Sequence, residues 1–253
     1  MRIFHYFSVF FIAGLTRADG IVATNDTTTN ELMETQVLSV LNKWREGGVQ
    51  TNLFPLPSLE TVYIDAVDTY FNRNGIKMTI SIGDMKLYGL DNFTVEYLKV
   101  TNTFDNIRLS VKLFVPALSI FSDNYKLKGR AYYLYPLQGL GKMSASLHKV
   151  DASLSVNFAN VGDVSMRLDN FELNLGFGSV EVDLENSSWP INQVLNKEGV
   201  EILKSLHDDI VNSINSYAVP YANEYLAKIT YKEFLDIVTI IGDSSYVISK
   251  NIK

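Results

Sequence analysis

The amino-acid sequence predicts an α+β fold, in which a long antiparallel meander is covered on one face by a long C-terminal helix. Apolar and polar residues alternate strictly through about residues 62 to 185, a pattern typical of strands with one wet face and one apolar face. A second pattern, an apolar stripe at helical spacing, runs from Ile191 to Tyr217. An apolar sheet face needs a cover, and a helix of this length spans a whole domain.

The first residues predict secretion. Residues 1–18 have the form of a signal peptide: Arg2 supplies a positive start, Ile3 to Leu15 is almost wholly apolar, and Thr16 to Ala18 offers small residues for cleavage. The apolar run is too short to cross a bilayer. The alternative is a buried N-terminal strand or helix. Residues 19–29 are expected to form a polar leader, and the mature protein is expected to be extracellular.

An amphipathic helix is predicted over residues 30–46, where apolar residues up to Trp44 recur at helical spacing and Gly47-Gly48 ends the run. Phe54 to Pro57 is expected to be an extended connector. The apolar members of the alternating runs are Ile76, Met78, Ile80 and Ile82; Ile107, Leu109, Val111, Leu113 and Val115; Ala152, Leu154, Val156 and Phe158; Phe171, Leu173, Leu175 and Phe177; and Val180, Val182 and Leu184. Turns are expected at Asn74-Gly75, Gly89 to Asn92, Asp123-Asn124 and Asp169-Asn170.

The C-terminal third is predicted to hold two helices. Pro190 fits the first position of the long helix, and Pro220 is expected to close it. A second helical piece is expected from Tyr221 to about Ile237, and residues 241–253 are expected to form a tail.

Composition excludes several classes of function. The chain is 47% hydrophobic and 20% charged, which is typical of a globular protein. A net charge of -6, spread along the chain, argues against nucleic-acid binding and gives no reason to expect adsorption to anionic membranes. The cysteine count is zero, which excludes thiol catalysis, thiolate metal sites and disulfides. Candidate glycosylation sites are Asn25, Asn92 and Asn186, each in an Asn-x-Ser/Thr sequon.

Catalytic groups are scarce. His5 leaves with the signal peptide, and His148 lies on the polar register of a strand, where it is expected to be solvated. His207 precedes Asp208-Asp209, but adjacent residues of a helix point in different directions and cannot converge on a metal. Gly139-Leu-Gly141 is too short for a dinucleotide loop and is interpreted as a turn or bulge. No enzyme activity, metal or cofactor is therefore expected.

Several strings, in their order and spacing, resemble the insect takeout and haemolymph juvenile-hormone-binding family over residues 30–238. They are Leu87 to Phe93, Leu113 to Leu118, Tyr125 to Arg130, Leu134 to Gly141, and the tail Tyr225 to Phe234. The resemblance implies a strongly curved antiparallel sheet wrapped around the long C-terminal helix, enclosing an apolar tunnel for an extended ligand. Residues 30–240 would then form a single lipid-binding domain. The chain departs from the family in lacking an N-terminal cysteine pair, which the resemblance assigns to the tunnel mouth.

The resemblance also suggests ligand contacts. Tyr125 matches a family position near the tunnel, and its hydroxyl could donate to an ester, epoxide or carbonyl of a ligand. The full set of candidate ligand-binding residues is Tyr125, Tyr133, Phe114, Phe158, Phe171, Ile210 and Ile214. The alternative is that these are ordinary sheet and core residues.

The predicted function is therefore a secreted carrier of a small hydrophobic ligand, such as a juvenile-hormone-like terpenoid or a fatty acid. The carrier is expected to be a monomer, with no nucleic-acid partner and no stable membrane insertion. One alternative is an allergen-like or immune lipid-recognition protein of the same fold, and another is a secreted hydrolase.

Overall fold

The computed structural model describes residues 27–47, 58–73, 75–103 and 105–242. The expected signal peptide, Asn25 and the connector Phe54 to Pro57 lie outside the described residues. The helices are α1 Thr27–Arg45, α2 Ile191–Ser205, α3 His207–Leu226 and α4 Tyr231–Gly242, with a short 3-10 helix at Leu90–Asn92. The strands are β1 Val62–Ile64, β2 Val67–Arg73, β3 Ile76–Ile82, β4 Met85–Tyr88, β5 Thr94–Asn102, β6 Asn106–Ala131, β7 Tyr135–Val161 and β8 Ser165–Leu184.

All eight described strands belong to one antiparallel sheet, which is curved and does not close on itself. Three long strands form its body: β7 lies between β6 and β8. On the other side of β6, strand β5 pairs with its first half, and β4 and β3 pair with its second half. Strand β6 has 26 residues, so its path is roughly 80 Å long. The predicted α+β architecture is confirmed.

The long strands stay continuous although the apolar register switches within them. Val115 and Leu118 are both buried, three residues apart on β6. The register also switches at Lys149 in β7 and at Gly178 in β8, and both residues lie beside Pro116 of β6. The φ angle of Lys149 is 51°. Pro116 cannot donate a ladder hydrogen bond, so this level is where the sheet can bend. The separate alternating runs of the sequence are therefore segments of the same strands.

Two predicted turns are wrong, because both sites are irregularities inside strands. The register shift between Ser122 and Tyr125 of β6 contains Asp123-Asn124, and in β8 Asp169 is an extra residue between the partners of Asn157 and Phe158. Polar residues of this kind also suit β-bulges, and pairing on both flanks holds them in the sheet. The expected turn at Gly75, where φ is 78°, is present between β2 and β3.

The predicted long helix is interrupted at Leu206, and Pro220 does not end it but lies inside α3. Around the break, the N–H of Leu206 is shared between the carbonyl oxygens of Ile202 and Leu203, both at 3.1 Å. The next residue, His207, accepts a hydrogen bond at its Nε2 from the N–H of Leu175, 3.4 Å away in β8. This contact links the start of α3 to the sheet, and no local sequence signal predicts it.

The last helix begins at Tyr231 rather than Tyr221, because Thr230 and Glu233 form a capping box. The N–H of Thr230 donates to Glu233 Oε2 over 2.8 Å, and the N–H of Glu233 donates to Thr230 Oγ1 over 3.2 Å. Hydrogen bonds from the backbone and then from the side chain of Thr230 lower the pKa of the Glu233 carboxyl. A Thr-x-x-Glu signal could have located this boundary from the sequence.

The helices cover the edges of the sheet as well as its face. Along β5, the N–H groups of Val100 and Asn102 donate over 3.0 Å to Glu34 and Asn30 of α1. Along β8, four backbone N–H groups donate to side chains of α2 and α3. The pairs are Leu184 with Asn192, Val182 with Asn196, Leu175 with His207, and Leu168 with Asn223. Since α1 also contacts α4, helices span the gap between the two edges.

The buried apolar residues form two clusters along the inner face. The main cluster contains Trp44, Phe158, Leu226 and Phe234, all with side chains essentially inaccessible to solvent. The second cluster is smaller and lies toward the C-terminal end of β6, around Tyr125, Leu127, Leu184 and Ile191. None of the helices in the described ranges is both long and apolar enough to cross a membrane.

Candidate ligand-binding site

A half-buried apolar strip lies between the sheet and helix α3. It consists of Leu147 and Ala152 of β7, Leu175 and Phe177 of β8, and Ile210 and Val211 of α3, and we call it the inner strip. All six residues pack against the main cluster but keep part of their surface accessible. An apolar guest lying along the inner strip would bury that surface, which is favourable by about 25 cal/mol per Å².

Polar groups border the inner strip at His207. Its Nε2 accepts from the N–H of Leu175, and its Nδ1 lies 3.1 Å from Asp208 Oδ1. A ring with its proton on Nδ1 satisfies both contacts, since Nε2 then accepts and Nδ1 donates. His207 therefore fixes α3 against β8 at the level of the inner strip and presents no unused donor there.

Two of the predicted ligand residues belong to the main cluster, and a third packs against it. Phe158 is fully buried, and its ring centroid lies 5.2 Å from that of Phe234 at a tilt of 48°. Phe171 is buried on β8, and Ile210 is half-buried on α3 within the inner strip. Ile214 lies on the same helix, and its side chain is outside the described residues.

Phe114 lies outside the main cluster, because its side chain is on the outer face of the sheet. Its neighbours in β6, Leu113 and Val115, are both buried, so the side chain between them points outward. Phe114 shares the register of Arg108 and Lys112 and is half-buried there. The apolar run Leu113 to Val115 hides this register in the sequence.

Tyr125 is buried in the second cluster, and its hydroxyl hydrogen already has an acceptor. The hydroxyl donates to the carbonyl oxygen of Glu185 over 2.7 Å. Burial, followed by the nearby carboxylates of Asp183 and Glu185, raises the pKa of the phenol. A Cβ at Gly139 would overlap the hydroxyl, so the first glycine of Gly139-Leu-Gly141 makes room for the Tyr125 ring.

We expect Tyr125→Phe to lower the free energy of unfolding by about 0.5–1.5 kcal/mol, because the hydrogen bond from the buried phenol to the carbonyl oxygen of Glu185 is lost. Urea denaturation measures this loss, with Tyr97→Phe on the exposed part of β5 as the matched control. Ligand affinity should hardly change. A three- to tenfold weaker binding of an oxygen-bearing ligand, with stability unaltered, would show that the hydroxyl turns toward the ligand instead.

The remaining predicted residues lie on the surface. Tyr133 is 77% exposed in the turn between β6 and β7, with Lys77 Nζ 5.8 Å from its ring centroid. Asn92 is exposed at the end of the 3-10 helix. Asn186 is exposed after β8, and its amide donates to the carbonyl oxygen of Leu140 over 3.4 Å.

The two histidines within the described residues lie apart from each other. His148 lies on β7 with its Nε2 3.9 Å from Glu181 Oε1, whereas His207 lies at the helix break. Throughout the described ranges, no three His, Asp or Glu side chains are grouped so that they could hold a metal ion.

The inner strip was only partly visible in the sequence. Ala152, Leu175 and Phe177 were predicted on the apolar register, and Ile210 and Val211 on the helical stripe, but Leu147 was not singled out. The alternating pattern locates the inner face, and it cannot separate half-buried positions from fully buried ones.

Comparison with known proteins agrees with this architecture. The model of the haemolymph juvenile hormone binding protein family matches residues 19–236. The crystal structure of Epiphyas postvittana Takeout 1 is similar with a TM-score of 0.56 and 16% identity, over 84% of this chain and 98% of that chain. A structure of lipopolysaccharide binding protein is similar only with a TM-score of 0.36 and 8% identity, over 63% of this chain and 34% of that chain. No curated protein sequence matches. Because the family model covers most of its length, the chain belongs to the haemolymph juvenile hormone binding protein family.

Proposed function

We propose that the protein is a secreted carrier that holds a small, extended hydrophobic ligand along the inner strip. The observation that carries this proposal is the half-buried apolar surface between β7, β8 and α3, on the inner face of a sheet whose edges are spanned by helices. Membership of a family named for binding a juvenile hormone supports a terpenoid or fatty-acid-like ligand.

Energetics favour such a ligand. Burial of roughly 400 Å² of apolar surface would contribute on the order of 10 kcal/mol before the costs of association. Sub-micromolar affinity then requires few polar contacts, which agrees with the apolar lining. The carrier would act as a monomer, without catalysis, and the sequons at Asn92 and Asn186 would be open to glycosylation after secretion.

The direct test is mass spectrometry of the organic extract of protein purified from its native source. We expect a terpenoid, fatty acid or similar oily molecule in near-stoichiometric amount. Protein that is empty and also fails to bind fluorescent fatty acids would contradict the proposal. Turnover of a nitrophenyl ester by the pure protein would favour a hydrolase.

A substitution that fills the inner strip with a larger side chain tests whether the ligand lies there. Ala152 faces inward between Leu113 and Leu175, so Ala152→Trp would place an indole in the inner strip. We expect at least about a tenfold loss of affinity for a fluorescent fatty acid, since the ring occupies the space of several ligand carbons. Ser153→Trp, on the neighbouring residue and the opposite face, is the matched control. Equal affinities in the two variants would place the ligand elsewhere.

A further inference from the structure

The end of the sheet opposite Phe158 carries an unusual group of exposed side chains. The turn between β6 and β7 presents Tyr132, Tyr133 and Leu134, and β7 begins with Tyr135; we call these four residues the aromatic tip. These four side chains are 63%, 77%, 79% and 64% exposed. Single exposed apolar residues are ordinary, but four consecutive ones at a hairpin end indicate a contact surface.

The backbone of the aromatic tip is strained in a way that presents its rings outward. Tyr132 and Tyr133 have φ values of 48° and 62°, in the left-handed region that bulky residues rarely adopt. Two consecutive turn residues with positive φ are best served by Asn-Gly. The N–H of Tyr132 donates to the carbonyl oxygen of Gly75 over 2.8 Å, which ties this turn to the hairpin of β2 and β3.

Basic side chains surround the aromatic tip on the outer face of the same strands. Lys126, Lys128 and Arg130 alternate along β6 and are all exposed, and Lys77 of β3 pairs with Arg130 across the sheet. We call these four residues the basic column. The outer-face positions aligned with it in β2, β3 and β7 hold one acidic residue, Asp68. None of the four cations forms an ion pair with another described residue.

Another exposed aromatic lies beside the same strand. The N–H of Gln138 in β7 donates to the hydroxyl of Ser188 over 2.9 Å, and the next residue, Trp189, is 82% exposed. Below the tip, the inner face is only partly covered, because Met78, Ile80 and Leu137 of the second cluster are half-buried. The aromatic tip thus borders the more open end of the apolar interior.

We infer that the aromatic tip and the basic column dock the protein reversibly on a membrane surface with anionic lipid headgroups. Tyrosine and tryptophan favour the interfacial layer of a bilayer, where the ring is buried and the polar end stays hydrated. Each lysine or arginine close to an anionic surface strengthens binding roughly fivefold. The whole chain carries a net charge of -6, so the surface away from the basic column would be repelled, which orients the tip toward the lipid.

Docking at this end would place the half-buried inner face of β3 and β7 next to the lipid, where a hydrophobic ligand enters or leaves. This role in loading rests on the proposed carrier function, whereas the docking itself does not. Ligand uptake and vesicle binding are therefore measured separately.

The test is flotation of the full protein with vesicles of phosphatidylcholine alone and of phosphatidylcholine mixed with phosphatidylserine. We expect binding to the mixed vesicles that weakens as salt is raised, and little binding to the neutral ones. Absence of binding to mixed vesicles at low salt would overturn the inference, whatever the result for ligand uptake. Equal binding to both vesicles would overturn the role of the basic column.

Two variants separate the parts of the surface. Tyr132→Asn with Tyr133→Gly replaces the rings by residues that suit the turn, so folding is preserved while vesicle binding falls by about tenfold or more. Lys128→Glu with Arg130→Glu should abolish the preference for phosphatidylserine. Each variant should still bind a soluble fluorescent fatty acid as the unmodified protein does.

Matched controls come from the other end of the sheet. Val164→Ser removes an apolar side chain, 75% exposed, from the turn between β7 and β8, and Lys112→Glu reverses a charge on β6 away from the tip. Neither should change vesicle binding. Losses equal to those of the tip variants would show general adsorption and overturn the assignment to this surface.

Discussion

Phe158→Ala is expected to lower the free energy of unfolding by about 3–5 kcal/mol. The ring is fully buried between the sheet and α4, against Phe234, so truncation leaves a cavity that the surrounding strands cannot close. For a chain of this size the midpoint of thermal unfolding should fall on the order of 10 °C. Urea denaturation and differential scanning calorimetry measure both quantities.

Phe114→Ala is the matched control, because it makes the same truncation on the neighbouring strand but on the outer face. Its half-exposed ring should contribute about 1 kcal/mol or less. Similar losses for the two variants would contradict the assignment of the faces. A larger loss for Phe114 would mean that the apolar cover lies on the opposite side of the sheet.

The strands and their faces were predictable because burial on one side imposes a period of two. Every residue of the run Ile107, Leu109, Val111, Leu113 and Val115 is buried as predicted. Phe114 was predicted to contact the ligand, but it lies on the outer face, and the apolar triplet Leu113 to Val115 hides this register in the sequence. The turn predicted at Asp123-Asn124 depends on which strands lie alongside, and local composition does not carry that information.

Some helix boundaries follow from local sequence, and others depend on contacts with distant parts of the chain. α1 was predicted within three residues of its observed start, since its apolar spacing is local. The break at Leu206 lies next to a hydrogen bond between His207 and Leu175, a strand residue more than thirty positions away, and the helical pattern does not contain that contact. The capping box at Thr230 was local, and it was overlooked.

The candidate site was also predictable only in part. Apolar alternation locates the inner face, whereas the inner strip depends on how closely α3 packs on β8, which the sequence pattern does not contain. The basic column could have been recognised, since Lys126, Lys128 and Arg130 alternate with Leu127 and Gly129. The negative net charge of the whole chain does not reveal a local group of basic residues.

Asn223→Leu is expected to lower the free energy of unfolding by about 2–5 kcal/mol, because two buried backbone groups lose their partner together. Asn223 Oδ1 accepts from the N–H of Leu168 over 2.7 Å, and Asn223 Nδ2 donates to the carbonyl oxygen of the same residue over 3.3 Å. Leu168 is 2% exposed, so water cannot replace the lost bonds. Urea denaturation gives the loss.

Hydrogen exchange and sedimentation show whether Asn223→Leu uncovers the edge of β8 or only destabilises helix α3. The amide of Leu168 should exchange faster in Asn223→Leu, and the uncovered edge of β8 should promote concentration-dependent association. Asn174→Leu adds an exposed leucine to the outer face of the same strand and should leave both measurements unchanged. Faster exchange confined to α3, with the Leu168 amide still protected, would show that Asn223 stabilises the helix rather than the sheet edge. The side chains of α2 and α3 would then cover β8 without sealing it, and the helices could not serve as the wall that closes the sheet around a ligand.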